Sequence, residues 1–127
     1  MTIKKTAVIL YITNLALLVT HEIDSAYWHE WKLFNLPGGI DLFLILNFLL
    51  IIIFLFGLPR IMEWKKYADY FYFLLAFSGI FAFIIHSYFI FTGHPEFNTM
   101  VSWAILILTF ILSVVQLIVL LIMKRGL

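Results

Sequence analysis

Residues 42–58 read LFLILNFLLIIIFLFGL, an apolar run interrupted only by Asn47 and Gly57. A helix of about 20 residues rises roughly 30 Å, enough to cross the hydrocarbon core of a bilayer, and a run like this has no polar face to turn towards water. Working outward, three further apolar stretches on either side complete a set of spans at about 6–26, 40–58, 68–92 and 99–123. Across the 127 residues, 65% are hydrophobic, against roughly 45–50% in soluble domains. Only 12% are charged, and they sit in short clusters between the apolar runs. That pattern excludes a disordered or nucleic-acid-binding chain and makes the lipid bilayer the first partner. The expected fold is all-α, a single membrane domain over 1–127, folded as an antiparallel four-transmembrane-helix bundle with short loops.

The connections carry turn chemistry. Tyr27 to Gly39 ends in Pro37-Gly38-Gly39, Pro59 to Tyr67 follows Gly57, and Gly93 to Asn98 contains Pro95. Asn98 or Thr99 is placed to cap the fourth span, and Asp41 and Asp69 fall in first helical turns, where the helix dipole favours an anion. Lys4, Lys5, Arg60, Lys65, Lys66, Lys124 and Arg125 all lie on one side, with Lys32 alone among basic residues on the other. The positive-inside rule then puts both termini in the cytoplasm of a cell-membrane protein. Glu22, Asp24, Glu30, Asp41 and Glu96 gather on the opposite side, an asymmetry concealed by the net charge of +1. Trp28, Trp31, Trp64 and Trp103 fall near the expected interfaces. Lys4-Lys5 and the apolar run behind them resemble a signal peptide, but the one cleavage candidate, Asp24-Ser25-Ala26, puts an acid where a small residue is needed. The first span is therefore expected to be retained.

Polar side chains in lipid are costly and turn towards the bundle interior, so they mark its seam. Asn14, His21 and Trp28 recur at heptad spacing on the first helix, with Asp24 and Ser25 beside His21. Tyr72, Gly79, His86 and Gly93 do so on the third, and Ser102, Thr109 and Gln116, with Ser113, on the fourth. The second helix offers only Asn47. Asn14 and Gln116, at similar depth, are expected to hydrogen-bond across helices. Counting at about 1.5 Å per residue, His21, Asn47 and His86 should all sit roughly 8–10 Å below the outer surface.

One candidate site follows: His21, Asp24, Ser25, Asn47 and His86, with Asp41, His94 and Glu96 nearer the surface. The chain has no cysteine, so imidazole, carboxylate and thioether are its only strong ligands. His21, Asp24 and His86 suit zinc or a similar divalent ion, with Glu22 or Ser25 assisting as catalytic groups on a metal-activated water. His29 cannot share an ion with His21, because eight residues of helix separate them by about 12 Å. His29, Glu30 and Lys32 are read as a solvated loop face. The zinc-protease pattern begins at His21-Glu22 but finds Ser25 where its second histidine belongs, so that motif is absent.

The segments HEIDSAYWHEWKLFNLPGG (21–39) and GHPEFNTMVSW (93–103) give the chain a resemblance to a family of small bacterial membrane proteins catalogued as a domain of unknown function. The resemblance implies a bacterial inner-membrane protein and brings no assigned activity. In residue types alone it is similar to polytopic zinc hydrolases, an analogy rather than a motif. Three functions compete on the sequence: a metal-binding or hydrolytic site near the outer leaflet; a non-enzymatic accessory subunit, meeting a second copy or a partner membrane chain, whose polar seam serves packing; and a small transporter. Small drug exporters of this size use a mid-depth glutamate, whereas here Asn14, Asn47 and Thr109 are the mid-span polar residues.

Overall fold

The computed structural model describes residues 1–126. Its elements are α1 (Ile3–Tyr27), α2 (Glu30–Leu33), α3 (Ile40–Glu63), α4 (Ala68–Phe91) and α5 (Met100–Lys124). Of these, α1, α3, α4 and α5 are each long and apolar enough to span a membrane, which makes this a multi-pass membrane protein. Thr2 caps α1, its hydroxyl accepting from the Lys5 N–H at 3.4 Å, and Thr99 caps α5, accepting from the Ser102 N–H at 3.0 Å.

The helix expected to end at Leu58 runs on through Pro59 to Glu63, with Trp64 in the left-handed region at φ 50° closing it. Two observations explain the difference. Gly57 serves a close approach rather than a turn: a Cβ there would lie 2.6 Å from the Phe71 ring, so its absence lets α4 pack against α3. Pro59 cannot donate to the Leu55 carbonyl, but the Tyr11 hydroxyl donates to the neighbouring Phe54 carbonyl at 2.8 Å, tying the weakened turn to α1.

The bundle closes as a ring in which α1 packs against α3 and α5 and α4 packs against the same two, with α1 and α4 also meeting across the middle. The outlier is α3, with 17% of its apolar window buried against 39% for α5. Its outward side chains, among them Leu44, Ile45, Phe48, Leu55 and Phe56, are lipid-facing surface. That exposure explains why α3 carries no polar stripe. An apolar core of Tyr11, Leu15, Phe54, Ile61, Tyr72 and Leu75 fills the half nearer the basic α3–α4 turn. At mid-bundle α4 meets α5 through Gly79, where a Cβ would come within 2.8 Å of the Thr109 methyl. Small residues do in lipid what apolar burial does in water: they let helices touch along their backbones.

The polar stripes face inward. Asn14, His21, Ser25, His86, Ser102, Thr109, Ser113 and Gln116 are all buried. Asn14 Nδ2 donates to Gln116 Oε1 at 2.5 Å and to Ser113 Oγ at 3.0 Å, joining α1 to α5, and Gln116 Nε2 donates to the Tyr72 carbonyl at 3.4 Å, joining α5 to α4. The cross-helix bond expected of Asn14 and Gln116 is present.

Candidate metal centre

Between that amide cluster and the far end of the bundle, α1 and α4 present His21 and His86 to each other, rings edge to face with centroids 4.6 Å apart. Both are buried. The acid that joins them comes from neither spanning helix. After Tyr27 the chain breaks at His29, which takes a left-handed conformation at φ 55°, and the single turn of α2 carries Glu30 back over the bundle. Glu30, expected on a solvated face, is 7% exposed. One ligand atom from each of His21, Glu30 and His86 lies within 4.8 Å of the other two.

The bonding of each ring orients it. His86 Nδ1 sits 2.7 Å from the Ala82 carbonyl, which can only accept, so the ring donates there and Nε2 turns towards Glu30. Glu30 Oε1 is 3.0 Å from that Nε2, yet off the line a hydrogen bond needs, and Nε2 has no hydrogen-bond partner. His21 Nε2 lies 3.4 Å from Ser25 Oγ, one turn along α1, and His21 Nδ1 has no partner. A ring nitrogen tied to a backbone carbonyl with the other nitrogen free is the usual posture of a metal-binding histidine. Ligands about 2.0–2.2 Å from zinc stand roughly 3.4 Å apart in a tetrahedron. A contraction of at most about 1.4 Å would bring the set to that geometry.

Phe97 closes one side of the cluster. It is 1% exposed, with its ring centroid 4.4 Å from that of His86 and 6.0 Å from that of His21. Its φ of 59° places a bulky residue in the left-handed region, a strained conformation that the α4–α5 loop holds against the histidines. On the other side lies a cavity of about 230 Å³, walled by Leu18, Leu50, Phe77, Phe81 and Ile85, with His21, Glu22, Glu30 and His86 at its polar end. A second, of about 410 Å³, shares Glu22, Glu30, Phe34 and Leu50 with it and adds Phe43, Leu46 and Asn47.

The remaining candidates take other places. Asp24 Oδ1 accepts from the Trp28 indole at 3.0 Å, while Ser25 stands behind His21. Asn47 Nδ2 donates to the Phe43 carbonyl of its own helix at 3.0 Å and sits at the edge of the larger cavity with Glu22. His94 and Glu96 face each other at 3.8 Å in the α4–α5 loop, and Asp41 is exposed in the first turn of α3. The acid missed from sequence, Glu30, had one signal. The segment around it, YWHEWKLFNL over 27–36, is too aromatic and aliphatic for a loop that lives in water. Nothing periodic marks Phe97.

The chain belongs to a family of unknown function (DUF6713), whose profile matches residues 7–123. No curated protein and no solved structure matches it significantly.

Proposed function

We propose that this protein is an intramembrane metal-binding protein, with His21, Glu30 and His86 holding zinc or a similar divalent ion, and that the centre hydrolyses an acyl substrate. The observation that carries the reading is the convergence of two buried imidazoles, each with an unpartnered nitrogen, on a buried carboxylate. Such a trio in a low-dielectric interior calls for a cation to offset its charge and lone pairs. Held by His21, Glu30 and His86, such an ion would polarise a carbonyl or activate water. Glu22 lines both cavities beside the trio and is the group for proton transfer. In the reaction a water oxygen adds to the acyl carbon, Glu22 takes the proton, and the bond to the leaving group breaks. The same proton then passes to the leaving group, so that acid and alcohol (or amine) are released. The basic α3–α4 turn lies at the cytoplasmic side of a cell membrane in this reading, which puts the site in the outer half. Metal analysis of the detergent-purified protein tests it. The wild type should carry one metal per chain, and His86→Ala and Glu30→Gln should lose it. A wild type that stays metal-free after incubation with zinc overturns the proposal.

The 3.0 Å approach of Glu30 to His86 also supports a plainer reading, an ion pair that clamps α2 onto the bundle. The double replacement His86→Leu with Glu30→Leu separates the two. A clamp tolerates loss of both partners better than loss of one, and its stability ignores zinc.

A further inference from the structure

The two cavities raise a question of occupancy that the bilayer itself answers. The smaller lies between α1, α3 and α4, with Phe77 and Phe81 of α4 half exposed at its margin, and the larger adjoins it between α1, α2 and α3, beside the half-exposed Leu46 of α3. Near the basic turn α3 and α4 are pressed together at Gly57 and Phe71. Away from that contact they leave a lined space within the spanning segments. Water suits its apolar stretch poorly, because an ordered water needs two to four polar partners and the walls away from His21, Glu22, Glu30 and His86 are mostly aliphatic and aromatic. An empty space of this size forfeits packing energy in proportion to its volume. What adjoins the opening is hydrocarbon, and an alkyl chain fills it without moving any apolar surface into water.

Size and charge narrow the occupant. A methylene has about the bulk of a water molecule, roughly 30 Å³ of liquid volume. By that measure the 230 Å³ cavity takes a stretch of ~8 methylenes and the 410 Å³ cavity ~14. Together they accommodate one chain and not the paired chains of a membrane phospholipid. The polar end presents two carboxylates, Glu22 and Glu30, beside His21 and His86. With a divalent ion held there the two carboxylates balance its charge, so the polar end matches a neutral head with a carbonyl to offer.

We propose that the α3–α4 seam admits a single-chain neutral acyl ester from the bilayer, its chain lying against Leu50, Phe77, Phe81 and Ile85 and its ester carbonyl at the His21–Glu30–His86 cluster. The head-group contact rests on the metal-site reading; the chain contact rests on the cavity alone.

The test uses the full-length protein reconstituted in phosphatidylcholine vesicles with a monoacylglycerol carrying a photoactivatable diazirine in its chain. Crosslinks mapped by mass spectrometry should concentrate on Leu46, Leu50, Phe77, Phe81 and Ile85. Unlabelled monoacylglycerol should compete them away, and Leu50→Trp, which fills the space common to both cavities, should reduce them to the level on the outward face of α5. Ser78→Leu narrows the smaller cavity from a helix face that needs no refolding, and should do the same if the tryptophan variant is unstable. Crosslinks spread evenly over the outward faces of α3 and α5 and unmoved by either variant would mean annular lipid only and overturn the proposal. So would equal labelling of the seam by a diacyl phosphatidylcholine probe. Metal content is measured on the same samples. Competed seam labelling in a metal-free protein leaves the chain site standing while removing the metal reading; a metal-loaded protein without seam labelling does the reverse.

Discussion

Two buried polar clusters occupy one bundle and are built on opposite principles. Towards the middle, Asn14, Ser113 and Gln116 are neutral, and the amide donors of one helix meet acceptors of the next at 2.5–3.4 Å. The atoms left over there, Asn14 Oδ1 and Thr109 Oγ1, are uncharged groups that a single water could serve. Near the far end, His21, Glu30 and His86 are all ionisable, and His21 Nδ1 and His86 Nε2 are without hydrogen-bond partners. The first cluster bonds helix directly to helix, as a packing device should. The second brings ionisable groups together with ring nitrogens left unpartnered, and that contrast is what supports the proposal of a metal site.

Four experiments would break or sharpen this contrast. The largest effect is expected at the histidine cluster. Zinc at a hundred times its dissociation constant should stabilise the wild type by about 2.7 kcal/mol, read as a rise in melting temperature, while His86→Ala and Glu30→Gln should show no zinc-dependent rise. Imidazoles must shed protons to ligate a metal, so the zinc effect should shrink as pH is lowered, with protons released on binding. A zinc effect surviving in both variants would dissolve the distinction between the clusters.

Next in size is a packing lesion at the middle of the bundle. Gly79→Val drives a side chain against Ser113 and Thr109 and should cost about 1–3 kcal/mol, with metal content per folded chain unchanged. A smaller effect belongs to the amide pair itself. In a double-mutant cycle of Asn14→Leu and Gln116→Leu, monitored by unfolding in mixed micelles, the coupling should be about 0.6–1.7 kcal/mol. It should stay flat with pH and zinc, because neither group ionises. Coupling that tracked zinc would merge the clusters into one network.

The smallest change is predicted for Asp24→Asn. The asparagine oxygen can still accept from the Trp28 indole, so stability should move by no more than about 0.5 kcal/mol and metal stoichiometry not at all. Loss of metal in this variant would transfer the carboxylate's role from Glu30 back to Asp24.

The legibility of the two clusters differs for a physical reason. Asn14, Ser113 and Gln116 lie on unbroken helices, where a period of 3.6 residues places each side chain on a known face. Their inward direction, and that of His21 and His86, could therefore be read directly from spacing. Glu30 lies beyond a helix end, and its direction depends on one backbone conformation, the left-handed turn at His29, which no spacing rule announces. Asp24, one turn from His21, looked the natural partner. In the fold Trp28, a further turn along, holds its Oδ1. Pro59 misled in the opposite sense, since helix-breaking chemistry is tolerated where a neighbouring helix supplies the missing support.

Sequence alone determined that lipid must solvate this chain, that α1, α3, α4 and α5 cross it, and which of their faces turn inward. Hydropathy and helical period are local properties, legible residue by residue. Only the tertiary structure decided that the acid facing the two histidines is Glu30, that Phe97 covers them, and that α3 and α4 part to leave an apolar cavity beside them. Those facts depend on where loops return and how helices lean, and they are settled by contacts between residues far apart in the chain.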